Sequence, residues 1–198
     1  MLRLLLATRN AHKTREFAQL LSPEFELQDL IALPHAPVVD EKGSTFVENA
    51  LLKATAVSRC YSGLVLGDDS GLEVDALDGA PGIRSARYAH ENAPDAQNVS
   101  KLLTQLRIAK VRPNQRTARF VCEIALARGA AVLGTFRGTV EGMITQAPRG
   151  GGGFGYDSVF VPSTHAQTFA ELSPAKKNAI SHRARAVALL KKALLANL

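Results

Sequence analysis

The sequence predicts an α/β fold in which a mixed sheet is covered by helices. In the first half of the chain, apolar runs typical of strands alternate with apolar residues at helical spacing, whereas strand patterns cluster in the second half. The chain has 198 residues, of which 46% are hydrophobic, and this is enough to bury a sizeable core. No linker or internal repeat divides it, so we expect a single domain over residues 1–198.

The first elements are predicted to be a strand, a helix and a second strand. Residues 2–7 form an apolar run interrupted only by Arg3, as expected for a strand that is buried on both faces. Asn10 is a candidate N-cap for the following helix, and a Ser-Pro dipeptide at residues 22–23 is expected to end it. Residues 25–30 predict the second strand, which leads into an extended loop that carries Glu41.

A further helix and a short strand follow this loop. Residues 45–48 have the form of a capping box, and the helix is expected to continue to about Tyr61. Residues 64–66 predict a short strand, and residues 67–71 predict a turn that ends it.

The second half of the chain is predicted to contain a long helix, four strands and a closing helix. An amphipathic pattern over residues 95–108 predicts the long helix, residues 81–88 are expected to form a loop, and residues 181–196 predict the closing helix. We expect Gly129 and Gly138 to lie in turns. The predicted strands cover residues 119–127, 131–137, 139–145 and 156–161.

Composition excludes several classes of protein. No run reaches the roughly 18 apolar residues of a membrane span, and the apolar start is too short for a signal peptide, so we expect a cytoplasmic location. Cys60 and Cys122 lack metal-site spacing and are interpreted as buried thiols. The net charge of +6 favours an anionic partner such as a nucleotide or nucleic acid. The absence of Trp argues against a stacking array for single strands.

The first candidate site follows the first predicted strand. Helix N-termini attract anions, and Thr8, Asn10 and Lys13 add hydrogen-bonding groups and a positive charge there. A polar turn with a helix cap explains the same residues equally well, because no glycine-rich phosphate motif is present.

The second candidate site is acidic. Asp68 and Asp69 are adjacent and repel each other, and Mg²⁺ would relieve the repulsion, with Glu41 as a further carboxylate ligand. The alternative is a solvated turn. Asn49 and Lys53 share one helix face. Lys53 would therefore neutralise a phosphate group or stabilise the carboxylates. The alternative is a lysine that faces solvent.

The third candidate site is the glycine-rich segment at residues 150–157. Glycine lets the backbone approach a ligand closely, Phe154 offers a flat surface on which a base can stack, and Asp157 offers a hydrogen-bond acceptor. A mobile hairpin loop is the alternative.

The fourth candidate site is the basic segment at residues 176–183. Ser181 is a candidate N-cap, which places His182 and Arg183 in the first turn of a helix, where cations oppose the helix dipole. An anion or an electron-rich carbonyl docked there would explain them, and a basic surface run is the alternative.

Taken together, these motifs resemble the inosine triphosphate pyrophosphatase family, whose members hydrolyse non-standard purine nucleoside triphosphates. The resemblance covers nearly the whole chain. The matching motifs, in order, are Thr8…Asn10…Lys13, Glu48-Asn49-Ala50…Lys53-Ala54, Asp68-Asp69-Ser70-Gly71-Leu72, Pro81-Gly82…Ser85-Ala86-Arg87-Tyr88, Gly153-Phe154-Gly155-Tyr156-Asp157 and Lys177-Asn178…Ser181-His182-Arg183.

The resemblance implies an activity, a fold and a set of site residues. It implies Mg²⁺-dependent release of pyrophosphate from ITP, dITP and XTP by a homodimer, with a long mixed central sheet flanked by helices and a cleft between two lobes. Asp69 would be the general base, Lys53 a second catalytic residue, and Glu41, Asp68 and Asp69 the metal ligands. The implied triphosphate contacts are Thr8, Arg9, Asn10, Ala11, His12, Lys13, Lys53, Ser70 and Lys177. The implied base pocket consists of Phe154, Gly155, Tyr156, Asp157, His182 and Arg183.

The resemblance also carries an expectation about specificity. Hypoxanthine and xanthine have a 6-keto acceptor that Arg183 or backbone N–H groups can satisfy, whereas the 6-amino group of adenine would leave those donors unpaired. Two positions depart from the family pattern, since Arg9 replaces the common Gly and Ser158 replaces the usual Pro.

Two other functions remain open at this stage. One is a related pyrophosphatase that acts on modified pyrimidine or methylated nucleotides through a different base pocket. The other is a basic nucleic-acid-binding module, although Lys and Arg are spread along the chain rather than clustered.

Overall fold

The computed structural model describes residues 2–196, so Met1 and residues 197–198 of the predicted domain lie outside the described residues. The strands are β1 (Leu2–Leu6), β2 (Phe25–Asp29), β3 (Leu64–Val74), β4 (Thr117–Arg128), β5 (Ala131–Ile144) and β6 (Phe160–Pro162). The α-helices are α1 (Ala11–Leu21), α2 (Phe46–Ser58), α3 (Asp95–Ile108), α4 (Pro174–Ile180) and α5 (His182–Ala196). None of these helices has the length and apolar character that crossing a bilayer requires.

The strands form one mixed sheet in the order β2-β1-β3-β4-β5-β6. Strand β1 pairs in parallel with both β2 and β3, and β5 pairs antiparallel with β6. The predicted α/β class, with a mixed central sheet flanked by helices, is confirmed. The cleft between two lobes stays a prediction.

The described chain divides into two compact units. The first contains the chain up to Asp69, Cys122–Gly138 and the chain from Arg183 onward, and the second contains Ser70–Val121 and Thr139–His182. The predicted single domain stays a prediction. Each unit has buried apolar clusters of its own.

In the first unit, α1 begins as the sequence predicts. The Asn10 side chain accepts hydrogen bonds from the backbone N–H groups of His12, at 2.9 Å, and Lys13, at 3.2 Å, and so satisfies donors that an uncapped helix would leave unpaired. Phe17 and Leu21 are fully buried on the inner face of the helix, and the helix ends before Ser22, as predicted.

The predicted turn at residues 67–71 is wrong, because these residues continue strand β3. Strand β1 pairs only with Leu64–Leu66, but β4 borders β3 on its other side and the strand continues to Val74. A side chain at Gly67 would collide with the backbone of α2, so glycine allows this helix to pack directly on the strand. The two adjacent aspartates therefore lie within β3, just beyond the carboxyl end of β1.

The strand predictions in the second half need three corrections. Residues 131–137 and 139–145 belong to the single strand β5, and Gly138 is a buried strand residue, not a turn. Gly129 does lie in the predicted turn, with φ of 55°. Of the predicted strand at residues 156–161, only Phe160 and Val161 are extended, as part of β6, because the preceding glycine-rich segment forms turns.

The helix predictions need smaller corrections. Helix α2 ends at Ser58, three residues before Tyr61, and residues 82–87 of the predicted loop form a 3-10 helix. Helix α4 was not predicted, because its seven residues are too few to show an apolar period. The long helix over Asp95–Ile108 is confirmed, with Leu102 and Leu106 fully buried.

Candidate active site

The first unit contains a cluster of carboxylates and ammonium groups around the start of α1. The Lys13 Nζ atom lies 2.5 Å from Asp68 Oδ2, and the Asp68 side chain is fully buried. The thiol of Cys122 donates a hydrogen bond to the other oxygen of Asp68, at 3.2 Å. Burial alone would raise the pKa of Asp68, but the positive charges of Lys13 and Arg183 outweigh burial and hold that pKa well below its usual value. The Asp68 side chain therefore remains ionised.

The neighbouring carboxylate, Asp69, is held by two residues of helix α2. Asn49 Nδ2 donates to Asp69 Oδ2 at 3.1 Å, and Lys53 Nζ lies 3.3 Å from Asp69 Oδ1. Lys53 also lies 3.3 Å from a carboxylate oxygen of Glu41. The predicted shared face of Asn49 and Lys53 is confirmed, and the solvent-facing alternative is wrong because both side chains are buried.

The two adjacent aspartates differ in proton affinity. Burial raises the pKa of Asp69, and the nearby negative charges of Glu41 and Asp68 add to this effect, while Lys53 and Lys13 only partly offset it. Two neighbouring carboxylates whose pKa values are driven in opposite directions are typical of an acid–base site, because one remains an anion and the other can exchange a proton.

The N-terminus of α2 positions Asn49 and Lys53. The Thr45 hydroxyl accepts the Glu48 backbone N–H at 3.3 Å, as the predicted capping box requires. The Glu48 carboxylate accepts hydrogen bonds from the backbone N–H of Ser44 at 2.6 Å and from its hydroxyl at 2.8 Å. In addition, Asn49 Oδ1 accepts the Gly43 N–H at 2.8 Å, so the side chain that binds Asp69 is held at both ends.

Arg183 belongs to the same unit and is 1% exposed. Its guanidinium forms an ion pair with Glu16 of α1 and lies 5.6 Å from the centre of the Phe17 ring. Burial opposes its charge, yet the carboxylates of Asp68 and Glu16 outweigh burial and raise the pKa of Arg183. The structure thus brings Arg183 together with α1, and its implied role at a purine base stays a prediction.

The remaining residues of the predicted phosphate site have local partners or surface positions. The Thr8 hydroxyl accepts the Asn10 N–H at 3.2 Å, and the Arg9 guanidinium donates to the Ala36 carbonyl at 3.1 Å. Ala11 and His12 are exposed in the first turn of α1, and Ser70 is half-buried in β3 directly after Asp69. Their implied triphosphate contacts stay predictions.

In the second unit, the glycine-rich turn is tied to helix α4. Asp157 accepts the Phe154 backbone N–H at 2.9 Å, and its carboxylate lies 2.6 Å from Lys177 Nζ. The same ammonium group lies 5.0 Å from the centre of the Phe154 ring. Lys177, which the resemblance assigns to the triphosphate, therefore lies with the residues assigned to the base.

Two other predicted base-pocket residues are buried in the second unit. The Tyr156 hydroxyl donates to the Ser85 carbonyl at 2.9 Å, and burial raises the pKa of this tyrosine. The His182 ring stacks on Phe120, with ring centres 4.7 Å apart and planes 10° apart. Gly155 has a φ of 60°, which favours glycine.

Sequence reasoning missed three residues that contact the predicted site residues. Asn49 is not among the implied site residues, but it contacts Asp69, and its i,i+4 spacing from Lys53 is a usable signal for this contact. Glu16 lies three residues after Lys13 on α1, which also was a usable signal. Cys122 on β4 contacts Asp68 on the neighbouring strand β3, and nothing in the local sequence indicates this contact.

The carboxylates are the candidate metal ligands. Among residues 2–196, no group of three or more His, Cys, Asp or Glu side chains is arranged to hold a metal ion. Instead, ammonium groups contact the carboxylates of Glu41, Asp68 and Asp69. Hard carboxylate oxygens that attract cations match the ligand preference of Mg²⁺, so the donor chemistry fits this ion.

Comparisons with known proteins identify the family of the chain. A model of the Ham1 family matches residues 4–193. The dITP/XTP pyrophosphatase of Geobacillus kaustophilus is 50% identical over 191 residues, which cover 96% of this chain and 93% of that protein. The dITP/XTP pyrophosphatase of Geobacter sulfurreducens is 50% identical over 192 residues, with 96% of each chain covered.

A solved structure of a HAM1 protein from Coxiella burnetii superimposes with a TM-score of 0.88 at 42% identity, covering 99% of this chain and 100% of that one. These similarities confirm the resemblance that the motifs predict. Because the family model and the relatives both extend over nearly the whole sequence, the chain belongs to the Ham1 family.

Proposed function

We propose that the chain hydrolyses the non-standard purine nucleoside triphosphates ITP, dITP and XTP to the monophosphate and pyrophosphate. The names of its relatives support dITP and XTP as substrates. The observation that carries the proposal is the cluster in which Lys13 binds Asp68 while Lys53 binds both Asp69 and Glu41. Such a cluster supplies positive charge for a triphosphate and carboxylates for a divalent cation.

Asp68, Asp69 and Glu41 would hold Mg²⁺ together with phosphate oxygens. When bound, the ion neutralises charge that develops on the leaving pyrophosphate and lowers the pKa of water. Lys13 and Lys53 add fixed positive charge to the same cluster, and as ammonium groups on buried or half-buried stems they lose little mobility when an anion binds.

Asp69 is proposed to accept a proton from the attacking water. Lys13 lies 2.5 Å from Asp68, whereas Lys53 lies 3.3 Å from Asp69, so Asp69 is the more available of the two carboxylates as a proton acceptor. Asn49 and Lys53 bind different oxygens of Asp69 and so orient the carboxylate. Lys53 would then contact both the general base, Asp69, and a phosphate group of the substrate.

Phe154 and Lys177 are proposed to recognise the purine base of the substrate. The Phe154 ring supplies a stacking surface, and the Lys177 ammonium beside it is a donor that suits a 6-keto oxygen. The Phe154 and Gly155 N–H groups already donate to Asp157 and Asp95, which favours a side-chain donor over these two amides. Adenine presents a donor at this position and would be rejected.

Release of pyrophosphate from a panel of nucleotides tests the proposal. With Mg²⁺ present, we expect turnover of ITP, dITP and XTP at a kcat/KM at least about 100-fold above that of ATP, because an unpaired buried donor discriminates strongly. Preferential turnover of dTTP would favour a pyrimidine nucleotide as substrate. Equal turnover of all nucleotides would refute the role of the 6-keto group.

We also propose that the protein is a homodimer and works in the cytoplasm, in line with the family resemblance. Light scattering of the purified protein measures its mass directly. A mass near the 21.2 kDa of one chain would contradict the dimer.

A further inference from the structure

The glycine-rich turn forms a hydrogen bond with a residue that no motif assigns to the candidate site. The backbone N–H of Gly155 donates a hydrogen bond of 2.6 Å to the carboxylate of Asp95, which is 60 residues away in sequence. Asp95 is the first residue of helix α3. Hydrogen bonds to an ionised acceptor are shorter and stronger than neutral ones, so this contact joins the turn firmly to the helix.

The position of this contact within the turn matters. Gly155 lies directly after Phe154, and its φ of 60° redirects the chain so that Tyr156 enters the core. Asp157 accepts the neighbouring Phe154 N–H at 2.9 Å. Two carboxylates therefore hold the consecutive amides of Phe154 and Gly155, and between them they fix the backbone that carries the ring.

Helix α3 is a rigid support for this contact. Val99, Leu102 and Leu106 are buried in the apolar cluster of the second unit. The side chain of Asn98, one turn after Asp95, accepts the Ala89 N–H at 2.8 Å. Because the helix is packed and hydrogen-bonded, its first residue has a defined position relative to the turn.

We infer that Asp95 is a positioning residue that sets the orientation of Phe154 for the purine base. This inference rests on the proposed function and extends it to a residue outside the candidate site. Asp95 acts through the Gly155 amide and is not assigned a contact with the reacting atoms.

Two substitutions separate this role from a general effect on helix α3. Asp95→Ala removes the acceptor, and we expect the KM for ITP to rise about tenfold with kcat within twofold of the wild type, because the loss of one charge-assisted hydrogen bond weakens ground-state and transition-state binding equally. Asp95→Asn keeps a carbonyl oxygen at the same place, so it should recover most of the affinity. If Asp95 only supplied negative charge to the helix dipole, Asn and Ala would behave alike.

The matched control is Glu91→Ala, which removes one negative charge from an exposed residue four positions away. It should leave the KM unchanged. An unchanged KM in Asp95→Ala, or equal effects of Asp95→Asn and Asp95→Ala, would overturn the inference.

Hydrogen exchange provides a readout that does not depend on activity. In Asp95→Ala, the Gly155 amide should exchange at least about tenfold faster than in the wild type, because its acceptor is gone, while the amides of β4 keep their protection. Unchanged exchange at Gly155 would overturn the inference even in an active enzyme. A wild-type protein that releases no pyrophosphate from ITP would instead contradict the proposed function.

Discussion

The ammonium group of Lys13 lies 2.5 Å from the carboxylate of Asp68, and this ion pair links the first turn of α1 to the interior of strand β3. The Asp68 side chain is fully buried and the Lys13 side chain is 17% exposed. A carboxylate in this position depends on its cationic partner, because an uncompensated buried charge is costly.

Replacing Lys13 with Met should therefore destabilise the fold as well as abolish activity. We expect the free energy of unfolding to fall by about 3 kcal/mol, since Asp68 would lose its partner in the core. Urea denaturation measures this change. The control is Lys42→Met, whose ion pair with Asp40 is largely exposed and should contribute less than about 1 kcal/mol. Equal losses in the two variants would contradict the dependence of Asp68 on Lys13.

Replacing Asp69 with Asn should separate binding from turnover. The amide keeps the shape of the side chain but cannot accept a proton, so we expect kcat for ITP to fall by about 10² to 10⁴. Calorimetry should still detect ITP binding. Asp40→Asn, at an exposed carboxylate, serves as the control. Undiminished turnover in Asp69→Asn would remove this residue from the role of general base.

Replacing Arg183 with Ala should mainly affect stability. The side chain is 1% exposed and paired with Glu16, so its removal leaves carboxylates without their cation. We expect a loss of about 3–5 kcal/mol in the free energy of unfolding, compared with at most about 0.5 kcal/mol for Lys192→Ala on the exposed face of the same helix. A stable Arg183→Ala protein that has lost only its preference for ITP over ATP would contradict this structural role and support the implied role of Arg183 in the base pocket.

Two glycines of the same turn should respond differently to alanine. At Gly153, φ is 70° and a Cβ atom would overlap the Asp157 carboxylate, so Gly153→Ala should cost about 1–3 kcal/mol in stability and raise the KM for ITP. At Gly151 no atom lies within 4 Å of a Cβ position, and Gly151→Ala should be neutral in both measurements. Similar behaviour of the two variants would favour a loop that has glycine only for mobility.

The contribution of Glu171 to stability should depend on pH. The hydrogen bond from the Thr168 backbone N–H lowers the pKa of Glu171, with a further contribution from the charge of Arg149. Because the folded pKa is lower than the unfolded value of about 4.3, the contribution is present above that value and is lost as the pH falls through the folded pKa. Glu171→Gln should therefore lower Tm more at pH 7 than at an acidic pH below the folded pKa, where the Glu171 carboxyl is protonated. A constant difference in Tm across this range would contradict the shift.

Elements with strong local signals could be predicted from the sequence. The N-cap at Asn10 depends only on atoms within three residues of one another, and the helix over Asp95–Ile108 shows its apolar face over four turns. In contrast, the local sequence predicts a turn at Gly138, but this residue lies within strand β5. Contacts with neighbouring strands outweigh the weak preference of glycine for a turn.

The same distinction between local and long-range information applies to the candidate site. Family motifs identified Asp68, Asp69 and Lys53 by residue type and order, but the roles of buried partners depend on contacts between segments far apart in the chain. Cys122 and Asp68 are 54 residues apart, and Glu16 and Arg183 are 167 apart. No local pattern encodes such pairs.

The sequence by itself determined the class of fold, the order of the motifs and the chemistry that their side chains offer. Only the tertiary structure decided which carboxylate remains an anion and which gains a raised pKa, which lysine binds which oxygen, and that Asp95 holds the glycine-rich turn. The physical reason is that burial and charge–charge interaction act through space, so the proton affinity of a side chain is a property of its surroundings in the folded protein.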